Sequence, residues 1–129
     1  MTLEEFLAAY GAREWAPGTT DCCLMLADWA LAKGLDDPAA HLRGTYDTEA
    51  GFWELIDAAG GLFPVVGDCV AVVGGRRINK PAPGVVAVIG SAAVARRQWG
   101  AIWDGTGWRV RDTSGVITVT APVIAMWEI

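Results

Sequence analysis

The sequence lacks several features that would place it in a familiar class of protein. No apolar run approaches the roughly 18 residues that a membrane-spanning helix needs. The acidic start, Met1–Glu5, has none of the basic character of a secretory signal, so we expect the protein to be made and kept in a cytosol. With 129 residues, of which 53% are hydrophobic and 19% charged, the chain predicts one folded domain over residues 1–129.

Cysteine and histidine are too few, and too irregularly spaced, to build a disulfide framework or a zinc site. The chain has three cysteines, two of them adjacent, and one histidine, His41. An odd count with an adjacent pair is a poor disulfide framework. Structural zinc needs about four ligands at recognisable spacing, and no CxxC pattern is present. The sequence therefore predicts no metal site, and no cofactor is expected.

Positive charge is also scarce, because ten Lys and Arg face fifteen Asp and Glu, which gives a net charge of −5. The deficit lies in the first half of the chain. Residues 1–61 carry eleven acidic and three basic side chains, whereas residues 62–129 carry four acidic and seven basic. This balance argues against general nucleic-acid binding. It suits a small domain whose two faces contact different neighbours.

The most informative stretch is Trp15–Trp29, where a Pro-Gly loop leads into an apolar segment. Thr20 or Asp21 is a good N-cap for a helix over about 20–33, and we predict that Asp21 caps it. Cys22 then lies in the first turn, where backbone N–H groups and the helix dipole can lower a thiol pKa from about 8.5 and favour the nucleophilic thiolate. The alternative is that Cys22 is a small buried core residue, as free cysteines often are.

Helix signals fill the first half of the chain and strand signals the second. Helices are predicted over 2–11 and 20–33, with a helical turn at 36–44. A turn at 45–47 leads into a third helix, which Gly60-Gly61 ends and which has an apolar face of Phe52, Leu55, Ile56 and Ala59. Residues 62–75 fit a buried helix or a buried strand, and 76–83 predict a solvated basic loop. Strands are predicted at 85–89, 99–103, 108–111, 116–120 and 123–127, with a hairpin turn at 104–107 and with Arg109 and Arg111 on an outward face. The order predicts an α+β fold, in which N-terminal helices pack on a C-terminal antiparallel β-sheet.

Several short blocks of residues carry a resemblance to a known family. They are Trp15-x-x-Gly18-x-x-Asp21-Cys22, Ala27-Asp28-Trp29, Gly34-x-Asp36-Asp37-Pro38-Ala39, Arg43-Gly44-x-Tyr46 and Gly60-Gly61, followed by the weaker Pro83-Gly84, Trp103-Asp104-Gly105 and Ala125-Met126-Trp127. Together they resemble small phage-encoded proteins related to the NlpC-type cysteine peptidases, which have a papain-like fold. The resemblance implies that fold here, and it favours a helix over residues 62–73.

The resemblance also implies a location and a set of partners. It points to a tail-associated protein of a phage, a prophage or a gene-transfer particle, present in the host cytoplasm during assembly and then in the tail of the virion. The expected partners are other tail or hub proteins, with peptidoglycan as a further contact. No nucleic acid and no membrane span are expected.

The related peptidases imply roles for three positions, and one of them departs from the family pattern. In these enzymes an Asp-Cys pair opens the central helix, a histidine on the second sheet strand is the general base, and a polar residue on the next strand orients the imidazole. Asp21 and Cys22 match the pair, but Gln98 stands at the histidine position, and glutamine cannot take a proton near neutral pH. The Gly-Asp that usually opens the preceding strand is Gly84-Val85 here. His41 lies roughly 15–20 Å away along the helix, at about 1.5 Å per residue, so we do not expect it to replace the base.

Two functions follow from this pattern. The preferred one is a structural or assembly protein at a tail tip or baseplate, a pseudoenzyme on a cysteine-peptidase scaffold. Its seven tryptophans suit an interface, although the four in the sheet half can also be core residues: Trp99, Trp103, Trp108 and Trp127. The alternative is an active cysteine hydrolase, similar to a murein endopeptidase, with Cys22 as nucleophile and a base from elsewhere in the chain.

Overall fold

Helices occupy the first half of the chain and strands the second in the computed structural model, which describes residues 1–129. The helices are α1 (Leu3–Ala12), α2 (Cys22–Ala32), α3 (Glu49–Ala59) and α4 (Leu62–Val72). The strands are β1 (Arg76–Arg77), β2 (Val86–Gly90), β3 (Gln98–Trp103), β4 (Trp108–Arg111), β5 (Val116–Val119) and β6 (Val123–Glu128). The predicted α+β class is confirmed.

The six strands form one antiparallel sheet in the order β1-β6-β2-β3-β4-β5. All five residues of β2 are buried, so this strand runs through the core. The central helix α2 lies directly on β3, because Gly100 has no side chain to hold it away. A Cβ at Gly100 would lie 2.5 Å from the carbonyl oxygen of Cys22. A glycine in a strand interior often marks such a close approach, and this one places the start of α2 over the start of β3.

The helix ends follow from local sequence. The capping box of α1 is present, since Glu5 N donates to Thr2 Oγ1 and Thr2 N donates to Glu5 Oε1. Thr48 caps α3 by accepting from Gly51 N, and Gly60 ends that helix in the left-handed region, at φ 87°. The ambiguous segment after Gly61 is a helix, which confirms the option that the family resemblance favoured.

Three expectations were wrong in detail. Arg76 and Arg77 form a short edge strand, not part of a loop, because β6 offers a pairing partner and Glu128 binds Arg76 at 2.6 Å. Ala59 is exposed, so the buried side of α3 consists of Phe52 and Ile56. Arg111 is buried, although the alternation in β4 predicted that it faces solvent.

The tryptophans divide between core and surface. Trp108 and Trp127 are buried and belong to the core, whereas Trp99 and Trp103 are half-buried. No single helix is long and apolar enough to cross a membrane; only α3 and α4 together, bent by 83° at the break between them, have the combined length and composition.

Candidate functional site

A cavity of about 180 Å³ opens at the start of α2. It brings together Asp21, Cys22 and Gln98, the three residues that the sequence singled out, and adds Arg111, which it did not. Its remaining walls are largely aromatic and come from the loop before α2, from α3 and from β3: Trp15, Phe52, Trp53 and Trp99. Two further carboxylates, those of Glu49 and Asp112, also line it.

The Asp21 carboxylate is buried and fully used as a hydrogen-bond acceptor. Its Oδ1 accepts from the backbone N–H groups of Cys23 at 3.0 Å and Leu24 at 2.8 Å, which confirms the predicted cap of α2. Its Oδ2 accepts from the backbone N–H of Gly18 at 3.0 Å and from the hydroxyl of Tyr46 at 2.7 Å. One side chain therefore fixes both the start of the helix and the loop that leads into it.

Tyr46 acts as a permanent donor to this carboxylate. Burial, and after it the charge of Asp21, raises the pKa of the Tyr46 phenol well above its usual value. The hydroxyl stays protonated at neutral pH and keeps its hydrogen bond to Asp21. Tyr46 belongs to one of the blocks that carry the family resemblance, but the sequence alone gave it no role.

Cys22 is a protonated, nearly inaccessible thiol. Its residue is 7% exposed. Burial, followed by the charge of Asp21, raises the pKa of Cys22 to about 12. Hydrogen bonds from the N–H of Gly100 and from nearby backbone groups lower this pKa, but by less than burial and Asp21 raise it. The helix start does not favour a thiolate here, because the Asp21 carboxylate already occupies the N–H groups of Cys23 and Leu24. Of the two sequence-based interpretations, the structure therefore favours the buried core residue.

Gln98 links three parts of the fold through its amide. Its Oε1 accepts from the backbone N–H of Leu62 at 3.0 Å, and its Nε2 donates to the carbonyl of Ser91 at 2.9 Å. Leu62 is the first residue of α4, whose own N-cap, Gly61, has no side chain to accept this hydrogen bond. Gln98 thus caps α4 from β3, across 36 residues of sequence.

Arg111 is a buried structural residue, which the alternating pattern of β4 did not predict. Its Nε donates to the carbonyl of Tyr10 at 3.3 Å, its Nη2 to the carbonyl of Arg13 at 2.6 Å, and its Nη1 to the carbonyl of Asp112. The guanidinium carbon also lies 5.7 Å from the centre of the Trp15 ring. These contacts fasten β4 to the end of α1 and to the loop that follows it.

The other candidate ligands and bases lie elsewhere. His41 is exposed and does not line the cavity. All three cysteines are free and buried, and burial raises the pKa of Cys69 to about 11. The structure places no group of three or more His, Cys, Asp or Glu side chains where they would hold a metal ion.

Comparison with known proteins gives a family but no function. No curated protein and no solved structure matches the chain. One family profile, the domain of unknown function DUF6950, matches residues 1–129. The chain therefore belongs to the DUF6950 family.

Proposed function

We propose that this protein is a structural or assembly component of a phage tail, at the tail tip or baseplate, or of the equivalent part of a prophage or gene-transfer particle. It is built on a papain-like, NlpC-type scaffold that has lost its chemistry. The order of helices and strands, with Cys22 opening a central helix against the sheet, supports the scaffold. The sequence resemblance supports the association with a tail, and other tail or hub proteins are then the partners.

The proposal that catalysis has been lost rests on the residues that line the Cys22 cavity. We match two of the three polar positions of a cysteine peptidase to Cys22 and Gln98, and the third, on the strand after Gln98, to Arg111, which also lines the cavity. A cysteine hydrolase needs a base to activate the thiol and an acid to protonate the leaving amine. The Gln98 amide cannot supply either, and a guanidinium has no acceptor with which to orient an imidazole.

Two of the three carboxylates that line the cavity, those of Asp21 and Asp112, are poorly suited to replace the missing base. Asp21 already accepts four hydrogen bonds, so no free lone pair faces the thiol. Hydrogen bonds from Ser114 lower the pKa of Asp112, which makes that carboxylate a weak base. We therefore place the function in the surface around the cavity, where Trp15, Trp53 and Trp99 are half-buried.

The first test is the pH dependence of Cys22 alkylation. The folded protein is treated with iodoacetamide between about pH 6 and about pH 10, and labelling is located by peptide mass spectrometry. Cys22 should stay unlabelled until the protein is unfolded in urea, because it is buried and its pKa is raised to about 12. Cys22→Ser is the control, since it shows what the adjacent Cys23 contributes to the same peptide.

A rapid reaction with a midpoint well below pH 8 would contradict this proposal. The alternative, a cysteine hydrolase that uses Cys22, would then be favoured, and peptidoglycan would be its substrate to try first.

The second test is the composition of purified particles. We expect the protein at a fixed ratio to hub or tail-tip proteins and cross-linked to them. Its absence from particles, together with release of peptide from murein by the pure protein but not by Cys22→Ser, would overturn the proposal.

A further inference from the structure

The two edges of the sheet are built in opposite ways. The β1 edge has only two residues, and both are arginines. Short length and positive charge are the devices by which proteins keep an edge strand from pairing with another chain. The β5 edge is longer, with four residues, and carries no charge. Val116 to Thr120 are all β-branched, and no charged residue occurs between Asp112 and Glu128.

The backbone of β5 has a free side. The strand pairs with β4, and no strand lies beyond it in the sheet. Its first residue is partly covered, because Val116 O accepts from Arg109 Nη2 at 3.4 Å and Val116 N lies near Gly11 of α1. Beyond that residue the edge is open, and Ile117, Thr118 and Thr120 are exposed. A row of unpaired N–H and C=O groups is matched by one kind of occupant, an extended chain.

We propose that β5 pairs antiparallel with β5 of a second copy of this protein, about a two-fold axis at Thr118. In this register Thr118 faces Thr118 of the partner subunit, and Ile117 faces Val119 of the partner subunit. Threonine pairs and pairs of β-branched residues are both favourable across antiparallel strands. A strand that is complementary to itself meets the requirement of a two-fold interface, in which the same patch serves both subunits.

The uncharged strand permits a second copy as the occupant, and exposed apolar surface favours one. Each chain carries a net charge of −5, which opposes association in general, but the uncharged β5 lets two copies meet without like charges in contact. Ile117 is 37% exposed and lies opposite Val110 in the β4–β5 register. It therefore shares the face of the sheet on which Trp108 and Val119 also lie. Pairing would cover Ile117 and continue this apolar face from one copy into the next.

The test compares two lysine variants by sedimentation velocity over about a hundredfold range of protein concentration. The wild type should show a concentration-dependent dimer. Thr118→Lys should weaken association by at least about tenfold, since two like charges would face each other at the axis. Thr19→Lys adds the same charge at an exposed loop position and should leave the dimer unchanged. A wild type that stays monomeric, or a dimer that Thr118→Lys does not weaken, overturns the proposal.

Cysteine cross-linking tests the register itself. Opposite residues in antiparallel strands have Cα atoms about 4.5–5.5 Å apart, within the range that a disulfide spans. Thr118→Cys should therefore form a cross-linked dimer on mild oxidation, whereas Ile117→Cys, about 7–8 Å from its own equivalent on the diagonal, should cross-link far more slowly. The native cysteines are buried and do not interfere. Equal cross-linking of the two variants would refute the two-fold axis at Thr118.

Discussion

Removing the Asp21 carboxylate should lower the free energy of unfolding by more than removing an ordinary helix cap does. In Asp21→Ala the start of α2 loses its cap, which costs about 1–2 kcal/mol in comparable helices. The Gly18 N–H and the Tyr46 hydroxyl, both buried, lose their acceptor at the same time. Each buried donor left unpaired costs about 1–3 kcal/mol, less where water can enter. We expect the free energy of unfolding to fall by about 3–5 kcal/mol.

Two milder variants should rank below Asp21→Ala. Tyr46→Phe removes one hydrogen bond and leaves the other three, so a loss of about 1 kcal/mol is expected. Asp21→Asn keeps an oxygen for the cap but turns an amide donor towards Gly18 and Tyr46. Its loss of unfolding free energy should therefore lie between the losses of Asp21→Ala and Tyr46→Phe. Because Tyr46 and Asp21 are direct partners, the double variant should fall short of the summed losses by about 0.5 kcal/mol or more.

Urea unfolding, followed by tryptophan fluorescence, measures these differences. The buried Trp29, Trp108 and Trp127 report on the core, and equal slopes with denaturant concentration would show that all variants unfold to similar states. Thr48→Ala is the matched control, because Thr48 caps α3 with a single exposed hydrogen bond to Gly51 N. If Asp21→Ala lost no more stability than Thr48→Ala, the buried network around Asp21 would not hold the loop as argued.

Three further predictions concern Gly100, Gln98 and the Cys22 thiol. Gly100→Ala should lower the free energy of unfolding by about 2 kcal/mol or more, because its Cβ would meet the Cys22 carbonyl oxygen at 2.5 Å. Gly67→Ala, in α4 with its nearest neighbour at 3.9 Å, should be neutral or stabilising by about 0.4–1 kcal/mol, and equal effects would refute the close packing of α2 on β3. Gln98→His should lose about 1 kcal/mol of stability with the cap of α4 and gain no peptide hydrolysis; new activity that Cys22→Ser abolishes would contradict this. Raising the pH above the ordinary thiol pKa of 9.0 should destabilise the protein progressively up to about pH 12, because the unfolded state loses the Cys22 proton first. Cys22→Ala should make that urea-midpoint profile shallower but not flat, because burial also raises the pKa of Cys23 and Cys69. An unchanged slope would argue against the raised pKa of Cys22.

The features that sequence predicted well are those set by neighbouring residues. The Asp21 cap and the Thr2 capping box depend on groups within three residues, so the pattern carries all the necessary information. The change from helices to strands was likewise visible in the hydrophobic period. The segment after Gly61 was ambiguous because it is apolar throughout. Its helical start is capped by Gln98, whose place beside Leu62 depends on the tertiary fold.

Arg111 shows a limit of another kind. Alternation in β4 gives the period of a strand but does not say whether its second face meets solvent or other residues. Trp108 and Val110 are buried on one face, and Arg111 is buried on the other. The carbonyls that accept from its guanidinium include those of Tyr10 and Arg13, 101 and 98 residues away in sequence. No local pattern contains that information.

The polar side chains around the Cys22 thiol make hydrogen bonds that hold the fold together, and these bonds leave them unable to act in catalysis. Asp21 holds the loop before α2, Gln98 holds α4 to β3, and Arg111 holds β4 to α1. A catalytic side chain needs a free donor or acceptor aimed at the substrate, and these three side chains direct theirs to the protein itself. A histidine at position 98 would therefore weaken the junction with α4 without acquiring an ionised thiol to act on, since the pKa of Cys22 is raised to about 12. Under the proposed function, partners would contact the half-buried Trp53 and Trp99 at the cavity wall, and the thiol would remain part of the core.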